Sequence, residues 1–389
     1  MKKKFLFLSA LVAASAAFVG CSSDEDLAQV PEIVEEETPV FQGYPMYVSA
    51  SAGEDTRGTD LDGDSFDAFT MYSNMAKGST PWDKGVAFTK GTSWSAGTTD
   101  VSFPDNTNSY YFYGVSDAAN ITKTDGKPDI STVGTSFNFT YQIPTAYADQ
   151  KDLLVGKTTG SGSDGKVNFT DDNKFTHALA KIQAIKVYAN TTKLTEKGFT
   201  DYAKYSFRIN GIRLCGLKKV GTYTFGDETP WAVSGSGDDF EITLKASELT
   251  FANMAFTPDA ENTKHSLPLN DDGLYLIPQS VTGSIVPDGE GYAVSGAYVE
   301  LDAQVFVDSD DPENPGSGWY HCCNDNSPMY FNSDNSTDAG FGTIHVPLKI
   351  DISAGAGKGY TLVIDLGQGI IMDGMYEATP VFEEISFEV

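Results

Sequence analysis

Positive charge, cysteine and histidine are all scarce in this chain of 389 residues. Lys and Arg total 26 against 54 Asp and Glu, which gives a formal net charge of −28 at pH 7. Nucleic acid and anionic lipid surfaces repel so acidic a chain, and the composition therefore excludes both as partners held by charge. The acidic balance favours a soluble, well-solvated surface instead.

The four cysteines and four histidines form no recognisable metal-binding pattern. His321 stands beside Cys322 and Cys323, but adjacent cysteines rarely bind one ion together, and no second Cys/His pair lies near them in sequence. We therefore predict no metal. One disulfide, between Cys215 and either of these neighbours, is permitted outside the cell, and the sequence does not define it.

Signatures of catalysis are missing as well. The sequence holds no G-x-S-x-G and no H-E-x-x-H motif. Residues 355–359 look similar to a phosphate-binding loop, but they lack the first glycine of that motif and a following Ser or Thr. We predict a protein without catalytic residues and without a cofactor, and an extracellular hydrolase is the disfavoured alternative.

A long apolar run occurs only at the start of the chain. Basic residues 2–4 precede an apolar stretch over residues 5–20, which is too short for a comfortable membrane span and is typical of an export signal. Gly20 directly before Cys21 is similar to a bacterial lipobox, in which the cysteine thiol receives the lipid. Residues 1–20 are thus predicted to be a lipoprotein signal peptide, with membrane attachment by lipid alone. The alternative is an ordinary signal peptide that leaves Cys21 free.

Residues 21–57 form an acidic segment that we predict to be a removable leader. It carries nine Asp and Glu residues and no Lys between Ser22 and Asp55. Residues 22–26 are similar to the acidic tag that directs lipoproteins of Bacteroidetes-type bacteria to the outside of the outer membrane. The alternative interpretation of these residues is a flexible tether, and the two are compatible.

The leader contains one strand-like stretch and ends at one basic residue. Residues 46–51 place Met46, Val48 and Ala50 on a single face. Arg57, followed by Gly58, is the first basic residue after the export signal. A trypsin-like protease would therefore find one target here, and its cut would detach the strand from whatever sheet the strand had joined.

The remainder of the chain is predicted to be all-β. It is rich in Gly, Tyr and Phe, and helix-period stretches are scarce. Strand-like runs occur at residues 109–115, 137–141 and 359–366. His177 lies in a further strand-like apolar stretch, and we interpret it as a packing residue. The final run, residues 384–389, alternates so that Ile385, Phe387 and Val389 share one face.

The order of these pieces resembles the fimbrillin (Mfa-like) family, the subunits of Bacteroidales type V pili. Each piece alone is weak, but together they span nearly the whole chain in the order found in the family. The matching pieces are the lipobox at Cys21, Thr56-Arg57-Gly58, and residues 110–113, 152–155, 175–182, 276–279 and 356–362.

The resemblance implies two tandem transthyretin-like β-sandwich domains. With the signal peptide at residues 1–20 and the leader at 21–57, the domains would span residues 58–198 and 199–389. The resemblance further implies cleavage between Arg57 and Gly58 by an arginine-specific protease. It also implies assembly by strand exchange, in which Met46, Val48 and Ala50 belong to a placeholder strand and Ile385, Phe387 and Val389 anchor a donor strand.

We therefore expect a structural and adhesive pilus subunit, exported to the outer membrane surface and then built into an extracellular fimbrium. The expected partners are other copies, anchor and tip subunits, the protease, and host or bacterial surface ligands. Arg57 together with the alternating terminal strand favours a shaft subunit. The alternatives are a tip adhesin and a monomeric glycan-binding surface lipoprotein. In the second, sugar platforms would come from the tryptophans Trp82, Trp94, Trp231 and Trp319.

Overall fold

The structure is a computed structural model, and it confirms the all-β class. It describes residues 43–52, 66–75, 82, 84–97, 101–124, 127–133, 136–196, 200–270, 273–288, 291–308, 319–321, 342–368, 370–371, 375–376 and 381–384. Within these ranges most residues lie in short strands, and the few helices are one or two turns long. None of the described helices is long and apolar enough to span a membrane.

The strands of the first half of the chain are numbered in order. They are β1 (Tyr44–Pro45), β2 (Tyr47–Ala50), β3 (Ala68–Ser73), β4 (Val86–Lys90), β5 (Trp94–Ala96), β6 (Ser102–Phe103), β7 (Ser109–Val115), β8 (Lys123–Thr124), β9 (Lys127–Pro128), β10 (Ile130–Val133), β11 (Ser136–Gln142), β12 (Leu154–Ser161), β13 (Lys166–Phe169), β14 (Thr176–His177) and β15 (Ala180–Tyr188).

The second half of the chain continues in the same manner. Its strands are β16 (Tyr205–Leu217), β17 (Val220–Thr224), β18 (Trp231–Ser234), β19 (Asp238–Ile242), β20 (Ala255–Phe256), β21 (His265–Ser266), β22 (Leu274–Leu276), β23 (Ser280–Thr282), β24 (Ser284–Asp288), β25 (Gly291–Ser295), β26 (Tyr298–Asp308), β27 (Trp319–His321), β28 (Gly342–Pro347), β29 (Lys349–Asp351), β30 (Gly359–Asp365), β31 (Ile370–Ile371), β32 (Met375–Tyr376) and β33 (Val381–Glu384).

Helical structure in the described ranges is limited to short segments. The α-helices are α1 (Thr191–Glu196) and α2 (Phe251–Met254). The 3-10 helices span Ala118–Asn120, Tyr147–Asp149, Asp171–Asn173, Tyr202–Lys204, Ala246–Glu248 and Leu366–Gln368.

One eight-stranded sheet positions the candidate site. Its strand order is β2-β13-β12-β7-β3-β4-β5, and β14 pairs with β12. The pairing of β2 with β13 is parallel, whereas the other neighbours along this order are antiparallel. The strand formed from the predicted leader therefore lies at one edge of the sheet, and β5 lies at the other.

Three further sheets carry most of the remaining strands. A second eight-stranded sheet has the order β19-β16-β26-β28-β32-β31, with β20 pairing β16 and β27 pairing β26. A five-stranded sheet has the order β21-β15-β30-β33 with β22 pairing β15, and a four-stranded sheet has the order β10-β11-β17-β18. The pairs β1–β6, β8–β9, β23–β29 and β24–β25 complete the pattern.

Two hydrophobic cores lie on opposite faces of the first eight-stranded sheet. Along β7, Phe112 points into a smaller core and Tyr113 into a larger one. Along β12, Leu154 and Val155 divide in the same way, as the two-residue period of a strand requires. We call the smaller cluster the aromatic core: Phe66, Phe69, Met71, Met75, Trp82, Val86, Phe88, Phe103, Phe112, Leu154, Val167, Phe169 and Phe175.

The larger core takes residues from both sides of residue 198. Strand β11 pairs with β17, and β15 pairs in parallel with β30, so hydrogen-bonded ladders also join the two halves of the sequence. Gly43–Val389 groups as one unit by its internal contacts. The division into domains 58–198 and 199–389 stays a prediction.

Candidate functional site: the leader strand and its groove

The predicted leader contributes a strand to the edge of the first sheet. We call residues 44–52 the leader strand. Within it, β2 runs parallel to β13, with Val48 opposite Val167 and Ala50 opposite Phe169. A parallel bridge continues the pairing from Ala52 to Phe175, and β1 pairs antiparallel with β6. The stretch predicted at residues 46–51 is thus a strand, with bounds Tyr47–Ala50.

Backbone hydrogen bonds hold one side of the leader strand. The Tyr47 amide donates to the Gly165 carbonyl at 2.8 Å, and the Ser51 amide donates to the Phe169 carbonyl at 2.9 Å. The Phe175 amide donates in turn to the Ser51 carbonyl at 2.9 Å. These three bonds follow the alternate-residue pattern of a parallel ladder. The leader strand therefore satisfies main-chain groups that an empty sheet edge would expose.

A side chain reaches the opposite side of the same strand. The residues of the leader strand that bond to β13 alternate with residues whose main-chain groups point away from β13. The Ala50 carbonyl is one of them, and it accepts a hydrogen bond from the indole Nε1 of Trp94 at 3.0 Å. Trp94 begins β5, which lies at the far end of the strand order. The sheet therefore curves until its two end strands meet.

The side chains of the leader strand alternate between the core and solvent. Met46, Val48, Ala50 and Ala52 are half-buried and pack against the aromatic core. Tyr47, between two of them, is 69% exposed. The predicted shared face of Met46, Val48 and Ala50 is therefore the face turned toward the core. We call the surface that receives it the leader groove: the edge of β13, with Phe175 and Trp94.

The turn before β13 depends on a glycine. Gly165 has φ +63°, a backbone conformation that only glycine adopts without strain. Its carbonyl accepts the Tyr47 amide, and a Cβ at this position would lie 3.4 Å from the Pro45 carbonyl oxygen. The turn thus connects β12 to β13 and also holds the first residue of β2.

Phe175 closes the far end of the leader groove. Its side chain is fully buried, and its ring centroid lies 4.7 Å from that of Phe66 and 5.0 Å from that of Phe69. Beneath the ring lie Gly114 and Gly156, which face each other across β7 and β12. A Cβ on Gly114 would overlap the ring. The glycine pair therefore makes the space that Phe175 fills.

Several predicted site residues lie outside the described residues. They are Cys21, Arg57, Gly58, Ile385, Phe387, Val389, Cys322 and Cys323. The leader strand ends shortly before Arg57 in sequence. At the other end of the chain, β33 pairs antiparallel with β30 and ends at Glu384, directly before Ile385.

A buried polar cluster lies between the sheets, and the sequence does not reveal it. His177 Nδ1 and Asp152 Oδ2 are 2.5 Å apart, and both side chains are at least nine-tenths buried. Nearby, the Tyr141 hydroxyl donates to the Asp117 carboxylate at 2.8 Å. Burial, with the negative charge of Asp117 next, raises the pKa of Tyr141 well above its usual value. Tyr141 belongs to β11 and His177 to β14, and Asp152 lies two residues before β12, so we interpret the cluster as structural.

Replacing Asp152 with alanine tests that interpretation. The change removes the partner of a buried imidazole, and we expect the free energy of unfolding to fall by about 1–3 kcal/mol. Urea denaturation measures the loss. The matched control is Asp149→Ala, because Asp149 is exposed, and it should stay within about 0.5 kcal/mol of the parent. Equal stability of both variants would show that the pair contributes nothing.

A metal-binding cluster is not found among the described residues, and their free cysteine is buried. No group of three His, Cys, Asp or Glu side chains in the described ranges is placed to hold a metal ion. Cys215 is a buried thiol, and burial raises its pKa to about 12. It therefore stays protonated at neutral pH and is a poor nucleophile.

Three of the four tryptophans pack in or against a hydrophobic core. Trp82 is buried in the aromatic core. The indole of Trp94 donates to the leader strand, and that of Trp231 donates to the Ala178 carbonyl at 2.7 Å. The side chain of Trp319 lies outside the described residues. The three described indoles therefore do not form exposed sugar platforms.

These features define an all-β protein in which an N-terminal strand completes the edge of its own sheet. The sequence model of the fimbrillin-like family matches residues 56–294, which is more than half of the chain. The chain belongs to the fimbrillin-like family.

Several solved structures are similar over nearly their whole length but only distantly. A fimbrial assembly protein from Parabacteroides distasonis is 11% identical, with 88% of this chain and 96% of that chain covered and a TM-score of 0.32. A proposed cell adhesion protein from the same species is 8% identical, with 88% and 97% covered and a TM-score of 0.42. A proposed cell adhesion protein from Bacteroides uniformis is 15% identical, with 88% and 98% covered and a TM-score of 0.35. No curated protein matches the chain in sequence. The family match alone therefore carries the assignment.

Proposed function

We propose that this protein is a structural and adhesive subunit of a surface pilus, polymerised by donor-strand exchange. The observation that carries the proposal is the leader strand, which fills a sheet edge and covers the aromatic core. Without it, the backbone of β13 and an apolar surface would be exposed. Such an edge is a template for a strand from another chain.

Cleavage would change the balance at this edge by breaking a tether. While the leader is covalently attached, its effective concentration at the groove is high. After a cut at Arg57 the leader becomes a free peptide, and its release gains translational and rotational freedom. The side chains that the leader strand turns toward the core are only half-buried, and two of them are the alanines Ala50 and Ala52. A replacing strand with larger apolar residues would bury more area and displace it.

The proposed donor is the C-terminal segment of a neighbouring subunit. In this segment the apolar residues Ile385, Phe387 and Val389 alternate with polar ones and share one face. A strand in the groove turns one such face toward the core. A chain with both a removable strand and such a donor can add subunits at either end of a growing polymer. We therefore assign it to the shaft, with anchor and tip subunits as its other partners.

The proposed life of the subunit begins at the membrane and ends in the fimbrium. Cys21 is lipidated and holds the precursor at the outer membrane surface. An arginine-specific protease then cuts between Arg57 and Gly58, and the mature chain leaves its lipid behind. The role is structural, with host or bacterial surface ligands as contacts of the assembled pilus, and it requires neither a cofactor nor a catalytic residue.

Controlled proteolysis tests the proposal. The protein lacking residues 1–21 is treated briefly with an arginine-specific protease, and the new N-terminus is sequenced. We expect one cut, giving Gly58, followed by heat-resistant ladders in native electrophoresis and filaments in electron microscopy. Arg208 and Arg213 lie within β16 and should resist brief treatment. The matched control, Arg57→Ala, should remain an uncut monomer.

Two results would contradict this function in different ways. An intact Arg57–Gly58 bond under conditions that cut a denatured sample would remove the maturation step. A clean cut that leaves a stable monomer would exclude self-polymerisation and assign the chain to the tip of the pilus, or to a monomeric surface lipoprotein.

A further inference from the structure

Trp94 is placed to act on whichever strand occupies the leader groove. Its ring lies 5.3 Å from that of Phe66 and 5.0 Å from that of Phe69, measured between centroids, and it packs against the aromatic core. The β4–β5 hairpin fixes its backbone, with Lys90 opposite Trp94. These contacts belong to the body of the domain. They involve residues outside the leader, and the indole N–H points to the leader strand.

The indole N–H binds the main chain of the leader and not a side chain. Its acceptor is the Ala50 carbonyl oxygen, at 3.0 Å. Every residue of every strand offers such a carbonyl, so the contact requires geometry and no particular sequence. It also lies on the side of the leader strand away from β13, which is the side that β13 leaves uncovered.

We propose that Trp94 is a clamp that closes the open side of the leader groove and sets how long a strand remains there. The functional consequence of this inference depends on the proposed strand exchange. The same N–H would hold the leader before the exchange and the incoming strand after it. Trp94 is thus a positioning residue, acting on the lifetime of the occupied groove. The aromatic core supports the indole, and the curved sheet brings it to the strand.

The substitution Trp94→Phe separates the hydrogen bond from the packing. Phenylalanine keeps an aromatic ring among Phe66 and Phe69 but has no N–H. The matched control is Trp82→Phe, in the same aromatic core, where Trp82 packs edge-on against Phe112 at 6.0 Å. Both variants replace an indole in the aromatic core with a smaller phenyl ring. Of the two, Trp94→Phe alone removes the described hydrogen bond to Ala50.

Hydrogen exchange on the uncut chain lacking residues 1–21 gives the first readout. We expect the leader-strand amides of Trp94→Phe to exchange about fivefold faster than those of the parent, the factor that one modest hydrogen bond supplies. Amides of β7 should be unchanged, and Trp82→Phe should leave the leader strand as slow as in the parent. Equal leader exchange in Trp94→Phe and parent, or equal acceleration in both variants, would overturn the clamp.

Release after cleavage gives the second readout. A fluorophore attached at residue 44 as Tyr44→Cys reports the departure of the cut leader by polarisation, and we expect Trp94→Phe to shorten its residence about fivefold. Identical residence times would overturn the proposal. Failure of the pilus function looks different: the cut parent would form no ladders, while the hydrogen-exchange difference between Trp94→Phe and Trp82→Phe would persist.

Discussion

Replacing Phe175 with alanine is expected to lower the free energy of unfolding by about 3–5 kcal/mol. The ring is fully buried, and its neighbours include Phe66, Phe69 and Phe169, the last at 5.1 Å between centroids. The two glycines beneath it have no side chains that could move into the space. The cavity would therefore stay open, which is the condition under which truncation costs most.

The same substitution should also loosen the leader strand. The Phe175 amide donates to the Ser51 carbonyl, and Ala52 bridges to Phe175, so a shift of this residue moves the end of the groove. Urea denaturation measures the stability, and limited proteolysis at Arg57 measures the access. Phe175→Leu, which refills most of the volume, is the matched control and should recover more than half of the loss. A loss below about 1 kcal/mol for Phe175→Ala would show that the site collapses freely.

Replacing both Ile385 and Phe387 with aspartate is expected to abolish polymers while leaving the subunit folded. The proposed donor strand must bury these side chains in a neighbour's groove, and a carboxylate placed there loses its hydration without a partner. The buried, unpaired charge at each position would make the exchange less favourable by roughly several kcal/mol. The cleaved variant should therefore remain a monomer in native electrophoresis and electron microscopy.

A control on the opposite face makes this result specific. Ser386 and Glu388 alternate with the proposed anchors, so Ser386→Asp adds a charge to the same segment without entering the groove. That variant should polymerise as the parent does. Ladders from the Ile385→Asp, Phe387→Asp double variant would contradict the donor-strand assignment, and the groove would need another occupant.

Local patterns predicted many of the elements. Alternating or aromatic residues indicated strands at 109–115 and 359–366, and the structure has Ser109–Val115 and Gly359–Asp365. The stretch 46–51 was also a strand, and its apolar face is the one that packs inward. Such features follow from neighbours along the chain, because a two-residue period is a property of one strand.

The sequence did not predict which strands and side chains pair with one another. Nothing in residues 46–51 indicates that they run parallel to β13, or that Trp94 bonds to Ala50 from the other end of the sheet. The contact of His177 with Asp152 was hidden in the same way, although both residues lay in stretches that resemble the family. Each of these contacts joins residues that are distant in sequence, and periodicity carries no information on distance of that kind.

The parallel pairing of the leader strand also dictates when it can fold. Ser49 and Asn168, which bond across β2 and β13, are separated by 119 residues. Closing so long a loop costs more entropy than forming the β3–β4 or β12–β13 hairpins, whose strands are near neighbours. The leader is synthesised first, yet it waits until β13 exists before it can dock. Every newly made chain therefore passes through a stage with an open sheet edge, when the leader strand competes with the strands of other chains for that edge.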